Sequence, residues 1–308
     1  MKEGRIIKST GSWYMVQDIK GQIFPCRLRG KFKLMETKVT NPIAVGDKVA
    51  FEIQEASENT GVITSIYDRK NYIIRRAAQK PGYSHIIAAN IDQAMLIATL
   101  LYPKTSLGFI DRFLVSAEAY SIPAIIVFNK TDLYDKEALA IYDELSAMYA
   151  SIGYPTYLIS ATNNIGVAEL KGLMQDKITL LAGHSGVGKS TLINALIPHV
   201  EQKVAPISDF AQKGTHTTTF AEMFPLNAKS AIIDTPGIKE WGLVDIEDEE
   251  LSHYFPELRD LLGKCRFHNC THTHEPDCAI IGAFDNGQVA HSRYESYISM
   301  LINDDNRR

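Results

Sequence analysis

The run Ile178 to Leu196, ITLLAGHSGVGKSTLINAL, constrains the fold more than any other part of the chain. An apolar strand (Ile178 to Ala182) leads into Gly183-His184-Ser185-Gly186-Val187-Gly188-Lys189-Ser190, and Thr191 to Leu196 follows with a helical pattern. A glycine-rich turn between a strand and a helix lets backbone N–H groups curl around phosphates at the helix N-terminus. On this pattern Gly183 through Gly188 line the phosphates. Lys189 reaches the β- and γ-phosphates, and Ser190, followed by Thr191, offers a hydroxyl to Mg²⁺. The competing reading is a plain strand-to-helix turn, and the strand-loop-helix context weighs against it.

Apolar strands alternate with helical stretches on both sides of this run: AMLIATL, a helix near Ile110 to Tyr120, AIIVF, a helix near Lys136 to Ser151, TYLIS and a helix near Val167 to Met174. Such βα repetition implies a largely parallel sheet covered by helices. Further strands are expected near Phe220 to Pro225 and Ser230 to Asp234. The first 66 residues differ. Five short segments rich in β-formers (GRIIKS, WYMVQDI, QIFPCRL, DKVAFEI, VITSI) alternate with turn signals. They hide their apolar faces best by closing into a small barrel, with an OB-type barrel the leading candidate.

Asn129-Lys130-Thr131-Asp132 ends the strand Ala124 to Phe128, and NKxD is the guanine-reading signature of GTPases. Asp132 can accept the guanine N1 and N2 protons, Asn129 can pair with O6 and N7, and the Lys130 stem can lie on the ring. Ser160-Ala161, after TYLIS, matches the pair that supports the base. Asp234-Thr235-Pro236-Gly237 ends another apolar strand, where a carboxylate meets Mg²⁺ through water and the Gly237 amide senses the γ-phosphate. Ordinary GTPases run phosphate loop, switches, then NKxD and SA; here NKxD and SA come first, so the order is circularly permuted. Permutation preserves a fold whose old termini lie close together at the surface. It also wires the second switch directly into the C-terminal region.

Lys213-Gly214-Thr215-His216-Thr217-Thr218-Thr219 lies where the first switch belongs. Thr218, or a neighbouring threonine, is expected to complete the Mg²⁺ shell. Ile238 is apolar where Ras-like enzymes carry a water-orienting glutamine, so unassisted hydrolysis should be slow. His216 is the candidate catalytic replacement; the alternative is a loop histidine that contacts RNA or nothing. Cys265-x₄-Cys270-x-His272-x₅-Cys278 supplies three thiolates and an imidazole, a closed tetrahedral Zn²⁺ set with no open position, hence one structural zinc per chain. His268 and His274 are rival fourth ligands.

With only four cysteines, three of them in this cluster, the count argues against a disulfide framework and for a metal cluster in a reducing compartment; Cys26 stands alone and is expected to be a small buried residue. The longest apolar run, Ala94 to Tyr102, is too short to cross a bilayer, so a soluble cytoplasmic monomer without membrane contact is expected. The net charge of -4 divides unevenly. Residues 1–80 hold 15 Lys+Arg against 8 Asp+Glu, a balance of +7, while the remainder holds 17 against 28, a balance of -11. Arg27, Arg29, Lys31 and Lys33 alternate with apolar residues in and after a predicted strand, which suits either a phosphate-contacting face or a solvated one.

Together NKTD, GHSGVGKS, GTHTTT, DTPG, the VGDKV strand, the RKN segment and CRFHNCTHTHEPDCAI resemble the RsgA (YjeQ/YloQ) family of small-ribosomal-subunit-dependent GTPases over nearly the whole chain. Thr215 departs from the arginine usual in that family. The basic segment ending in Lys80-Pro81-Gly82 places a linker at about 68–82, and the expected multidomain division is a barrel over 1–70, a circularly permuted α/β phosphate-loop GTPase domain over 71–245 and a small helical zinc-binding domain over 246–308. The resemblance implies that the first of these is an OB-fold RNA-binding domain. It further implies GTP hydrolysis stimulated by the 30S subunit, contact with 16S rRNA, a role in late subunit maturation, and a catalytic histidine in the first switch. The rival readings are an RNA-binding module that uses GTP with little hydrolysis, and a metabolite kinase, which NKTD and DTPG disfavour.

Overall fold

A computed structural model of the chain describes residues 1–29, 39–54, 60–76, 83–197, 221–235 and 246–302, with the side chains of 75 and 76 left out. Alternating burial along β2 (Tyr14–Asp18) shows how the N-terminal segment closes: Tyr14, Val16 and Asp18 point inward, Met15 and Gln17 outward. β1 (Lys2–Ser9), β2, β3 (Ile23–Leu28), β4 (Lys48–Ile53) and β5 (Gly61–Ile66) pair in the order β1-β2-β3-β5-β4, and β4 returns to β1. This is the expected five-stranded barrel. Ile6, Val16, Phe24, Cys26, Val49, Phe51 and Ile63 fill it, and burial pushes the Cys26 thiol up to about 11 against a hydrogen bond from the Gly61 backbone.

The span read as a linker carries a strand of its own: β6 (Tyr72–Arg76) pairs antiparallel with β7 (Ser84–Ala89). Asn71 closes this ribbon, because its side chain exchanges both hydrogen bonds with the Ile91 backbone at 2.9 and 2.8 Å, as a ladder residue would.

β8 (Gln93–Ala98), α1 (Leu107–Ala119), β9 (Ala124–Phe128), α2 (Lys136–Ser151), β10 (Thr156–Leu158), α3 (Val167–Leu173), β11 (Ile178–Ala182), α4 (Lys189–Leu196), β12 (Glu222–Pro225) and β13 (Ala231–Asp234) build the central layer. Strands β10-β9-β8-β11-β13 run parallel and β12 antiparallel at their edge. Every residue of β8, β9 and β11 is buried, as continuous apolar strands in a covered parallel sheet should be. Ser106 caps α1 and Asp135 caps α2, each accepting from the backbone N–H three residues on. One bridge, Lys8 to Glu222, joins barrel strand β1 to β12 and is reinforced by a Lys8–Glu222 ion pair at 2.9 Å.

The C-terminal segment is helical. A 3-10 stretch (Asp248–Tyr254), α5 (Pro256–Arg259), α6 (Ala279–Asp285) and α7 (His291–Leu301) enclose Leu251, Phe255, Leu258, Ile280, Tyr297 and Met300. Val115 of α1 belongs to the same apolar cluster, so this segment docks on the outer face of α1. No helix among the described residues is long and apolar enough to cross a membrane.

Candidate functional site

The glycines of the phosphate loop are required by their surroundings. Gly183 (φ +144°) and Gly188 (φ +94°) hold left-handed or extended-positive backbone; a Cβ on the first would run into the Ile97 carbonyl oxygen and one on the second into the side-chain nitrogen of Asn129. Val187 is fully buried and anchors the loop from below. Gly188 caps α4, so Lys189, Ser190 and Thr191 form its first turn, all half-buried. The Lys189 ammonium arches back and donates to the carbonyls of Gly183 at 2.5 Å and His184 at 3.0 Å. Burial lowers its pKa, opposed by the Asp234 carboxylate. Asp234 is buried at the end of β13, and the Thr235 hydroxyl donates to Leu181 O at 3.0 Å, tying the ends of β13 and β11 together.

Asn129 emerges from β9 buried, and its amide works as a cross-link. Nδ2 donates to Val187 O at 2.8 Å and Oδ1 accepts from Ala161 N at 3.0 Å. Of the donors that could serve guanine O6 and N7, one N–H is thus committed to the phosphate loop and one is left. The Ser160 hydroxyl donates to Asp132 Oδ1 and itself accepts from Asn163 N at 3.1 Å. Thr131 N donates to Ile159 O at 3.0 Å, locking NKTD to the Ser160-Ala161 turn. Lys130, in a left-handed conformation, donates its ammonium to Tyr102 O at 2.6 Å; burial lowers its pKa against the pull of Asp132. Asn129, Lys130, Asp132, Ser160, Ala161 and the loop from Gly183 to Thr191 therefore gather at one end of the sheet, although the chain runs through them in permuted order. His216, Thr218 and Gly237 lie outside the described residues.

Three supports escaped the sequence reading. Tyr134 donates to Asn129 O at 2.7 Å and accepts from Leu100 N at 2.9 Å, with burial pushing its hydroxyl up to about 12. Tyr102 sets the Lys130 ammonium. Phe109 packs against His184, ring centroids 3.6 Å apart and planes tilted by 31°. No motif in the sequence marks any of the three.

Cys265, Cys270, His272 and Cys278 offer ligand atoms within 4.8 Å of one another. His272 Nδ1 lies 3.6 Å from Cys265 Sγ and 3.4 Å from Cys278 Sγ, and the latter two are 3.8 Å apart. Sulfur ligands at about 2.3 Å from a tetrahedral ion sit nearly this far apart, so the donor set fits zinc. Burial pushes Cys270 up to about 12 against a bond from the His272 backbone, with Cys278 and Cys265 adding to the rise; a bound dication would reverse that balance. His272 is buried, whereas His268 and His274 are exposed and outside the cluster. Tyr294 and Tyr297 of α7 donate to His272 O and Thr271 O at 2.7 and 2.9 Å, pinning the ligand loop.

A phosphate loop and a base-reading turn, cross-linked by one asparagine on a parallel sheet and met in reversed order, define a circularly permuted phosphate-loop GTPase fold. The "RsgA GTPase" family matches residues 66–244 and the "RsgA N-terminal domain" family residues 3–63. The "Small ribosomal subunit biogenesis GTPase RsgA" of Cytophaga hutchinsonii is 52% identical over 306 residues, 99% of this chain and 100% of that protein. The Bacteroides fragilis protein of the same name is 51% identical over 299 residues, 97% of this chain and 96% of its own. Among solved structures, YjeQ from Thermotoga maritima superposes with a TM-score of 0.79 at 36% identity, covering 100% of this chain and 99% of that one. YloQ, described as a circularly permuted GTPase, gives 0.74 at 31% identity, covering 100% and 96%. The chain belongs to the RsgA GTPase family.

Proposed function

We propose that this chain is a GTP hydrolase of the cytoplasm that binds the 30S ribosomal subunit as a monomer, assists its late maturation, and hydrolyses GTP when the subunit stimulates it. The observation that supports this is the Asn129 cross-link, which ties the NKTD turn to the glycine-rich loop and to the Ser160-Ala161 turn. Asp132 accepts the guanine N1 and N2 protons, the remaining Asn129 N–H serves the base edge, and the Lys130 stem covers the ring. Adenine would leave Asp132 without donors, which such sites penalise strongly. The backbone from Gly183 to Gly188 and Lys189 hold the phosphates. Ser190 and Thr218 would hold Mg²⁺ with Asp234 behind them, and Gly237 would report the γ-phosphate; the metal supplies charge neutralisation on the phosphate oxygens. Thr131 and Ala161 brace the base turn. His216 is the proposed group beside the attacking water.

The barrel is proposed as the 16S rRNA-facing domain. Arg27 stacks over Trp13 at 4.1 Å from the ring centroid, and both Arg27 and Arg29 are exposed; a cation on an aromatic face suits phosphate and base together. Arg5, Lys20 and Lys48, together with the carboxylates of Glu3 and Asp18, line a cleft of about 580 Å³ between the barrel and the β12–β13 turn. Lys31 and Lys33 lie outside the described residues. Zinc on Cys265, Cys270, His272 and Cys278 holds the C-terminal segment together. Domain limits of 1–70, 71–245 and 246–308 remain the proposed division. Single-turnover GTP hydrolysis with and without purified 30S subunits tests the proposal: stimulation of about 100-fold or more is expected, and an unchanged rate would reduce the protein to a GTP-regulated binding module.

A further inference from the structure

Helix α1 lies between the phosphate loop and the C-terminal helices, and its two faces do different things. Phe109 packs against His184 of the loop. Asp111, two residues on and therefore turned away from Phe109, is fully buried and accepts from Arg293 Nη1 of α7 at 2.7 Å and from Tyr149 of α2 at 2.9 Å. Arg293 is itself 1% exposed, donates its Nε to Glu257 at 2.6 Å, and lies over the Phe255 ring. Val115 and Glu118 extend the same face of α1, the first in the C-terminal apolar cluster and the second paired with Arg259 at 3.1 Å. On α7, the neighbours of Arg293 hold the cysteine-histidine loop through Tyr294 and Tyr297.

We propose that Asp111 and Arg293 are positioning residues for the nucleotide site: the buried pair fixes the first turns of α1, and Phe109 on that helix fixes His184 and with it the backbone that cradles the phosphates. The claim rests on the assignment of Gly183 to Thr191 as the phosphate-binding loop. This route is separate from the second switch, since it runs through α1 and carries no γ-phosphate contact. A fully buried pair with a rigid helix between two sites is the kind of element that transmits coupling, because neither side chain can relax into water. Asp111 Oδ2 makes no hydrogen bond, so an asparagine can keep the Tyr149 and Arg293 contacts to Oδ1 while an alanine cannot.

The test uses the full zinc-loaded chain, with mant-GDP as the nucleotide probe and hydrogen exchange of the Ser185 to Ser190 amides measured without nucleotide. Asp111→Ala is expected to weaken mant-GDP about tenfold and to speed exchange of those amides, with zinc still one per chain. Asp111→Asn should restore affinity to within about threefold of the parent. Combined with Phe109→Ala, Asp111→Ala should add little, because both act through one contact. Unchanged loop exchange in Asp111→Ala, or losses that simply add, would overturn the proposal. If Asp111→Ala loses its zinc or cooperative unfolding, Arg293→Lys replaces it, with faster loop exchange expected and unchanged exchange overturning. A parent chain that fails to bind mant-GDP would sink the nucleotide assignment instead, and the exchange measurement would still decide the link from Asp111 to the loop.

Discussion

The two ends of the proposed nucleotide site are built from different materials. At the base end, side chains hold one another and the backbone: Asn129 to Val187 and Ala161, Ser160 to Asp132, Tyr134 to Asn129. At the phosphate end the backbone itself is the proposed binding surface, bent by Gly183 and Gly188 against Ile97 and Asn129, and one ammonium bridges two of its carbonyls. A side-chain network discriminates, because a wrong base leaves buried groups unpaired; a backbone nest attracts anions and tells them apart only by charge and number. Base-end changes should therefore strike GTP and GDP alike, and phosphate-end changes should strike GTP harder.

The largest expected effect comes from inverting the base end. Asp132→Asn turns an acceptor of two protons into a group that offers N–H to position 2 of the base, so preference should move from guanine toward xanthine nucleotides by about 10³-fold. Competition between GTP and XTP for the purified chain measures it, and an unaltered ratio would take Asp132 out of the base site. Next, Lys189→Met removes the lysine that, among the described residues, bridges the phosphate-end carbonyls. GTP should weaken by about 100-fold and GDP by about tenfold, as loss of a charge-assisted contact to phosphate implies. Equal losses for both nucleotides would erase the proposed contrast between the ends.

Ser160→Ala sharpens the contrast from the other side. It deletes the hydroxyl that donates to Asp132 and receives Asn163 N, and nothing at the phosphates. Removing one hydrogen bond to a charged group that is solvent-exposed should weaken GTP and GDP equally, by about fivefold. Isothermal titration with both nucleotides reads the ratio directly.

The placement of both motifs was legible in the sequence because each is local: NKTD follows one strand and GHSGVGKS another, and each strand announces itself by its apolar run. The cysteine-histidine cluster was legible for the same reason, and burial of His272 with exposure of His268 and His274 resolves an ambiguity that spacing alone left open. What spacing could not reveal is contact between distant segments. Asp111 and Arg293 are 182 residues apart, and nothing in either neighbourhood names the partner. The pairing of β6 with β7 escaped because Asn71, a turn-former by type, serves as a ladder residue by its side chain. The β1–β12 seam depends on a single register, Lys8 to Glu222, which no local pattern specifies.

Alkaline pH should produce the smallest difference between the ends. Burial holds the Lys189 pKa below its ordinary 10.5 despite Asp234, so its ammonium is lost earlier than an exposed lysine's, and with it the charge that the phosphates need. GTP affinity should fall as pH rises toward that lowered value, earlier than a contact to an exposed lysine would. Guanine N1 also loses its proton at alkaline pH and weakens the base end, and Lys189→Met isolates that contribution: the variant should show only the smaller remaining fall. Stability moves the other way. Between the lowered folded pKa and 10.5 the unfolded chain binds more protons than the folded one, so Lys189 makes the fold slightly more stable as pH rises through that window. Weaker GTP binding together with an unchanged or raised melting temperature would locate the effect at Lys189, whereas parallel falls in both, or equal pH profiles for the parent and Lys189→Met, would assign it elsewhere.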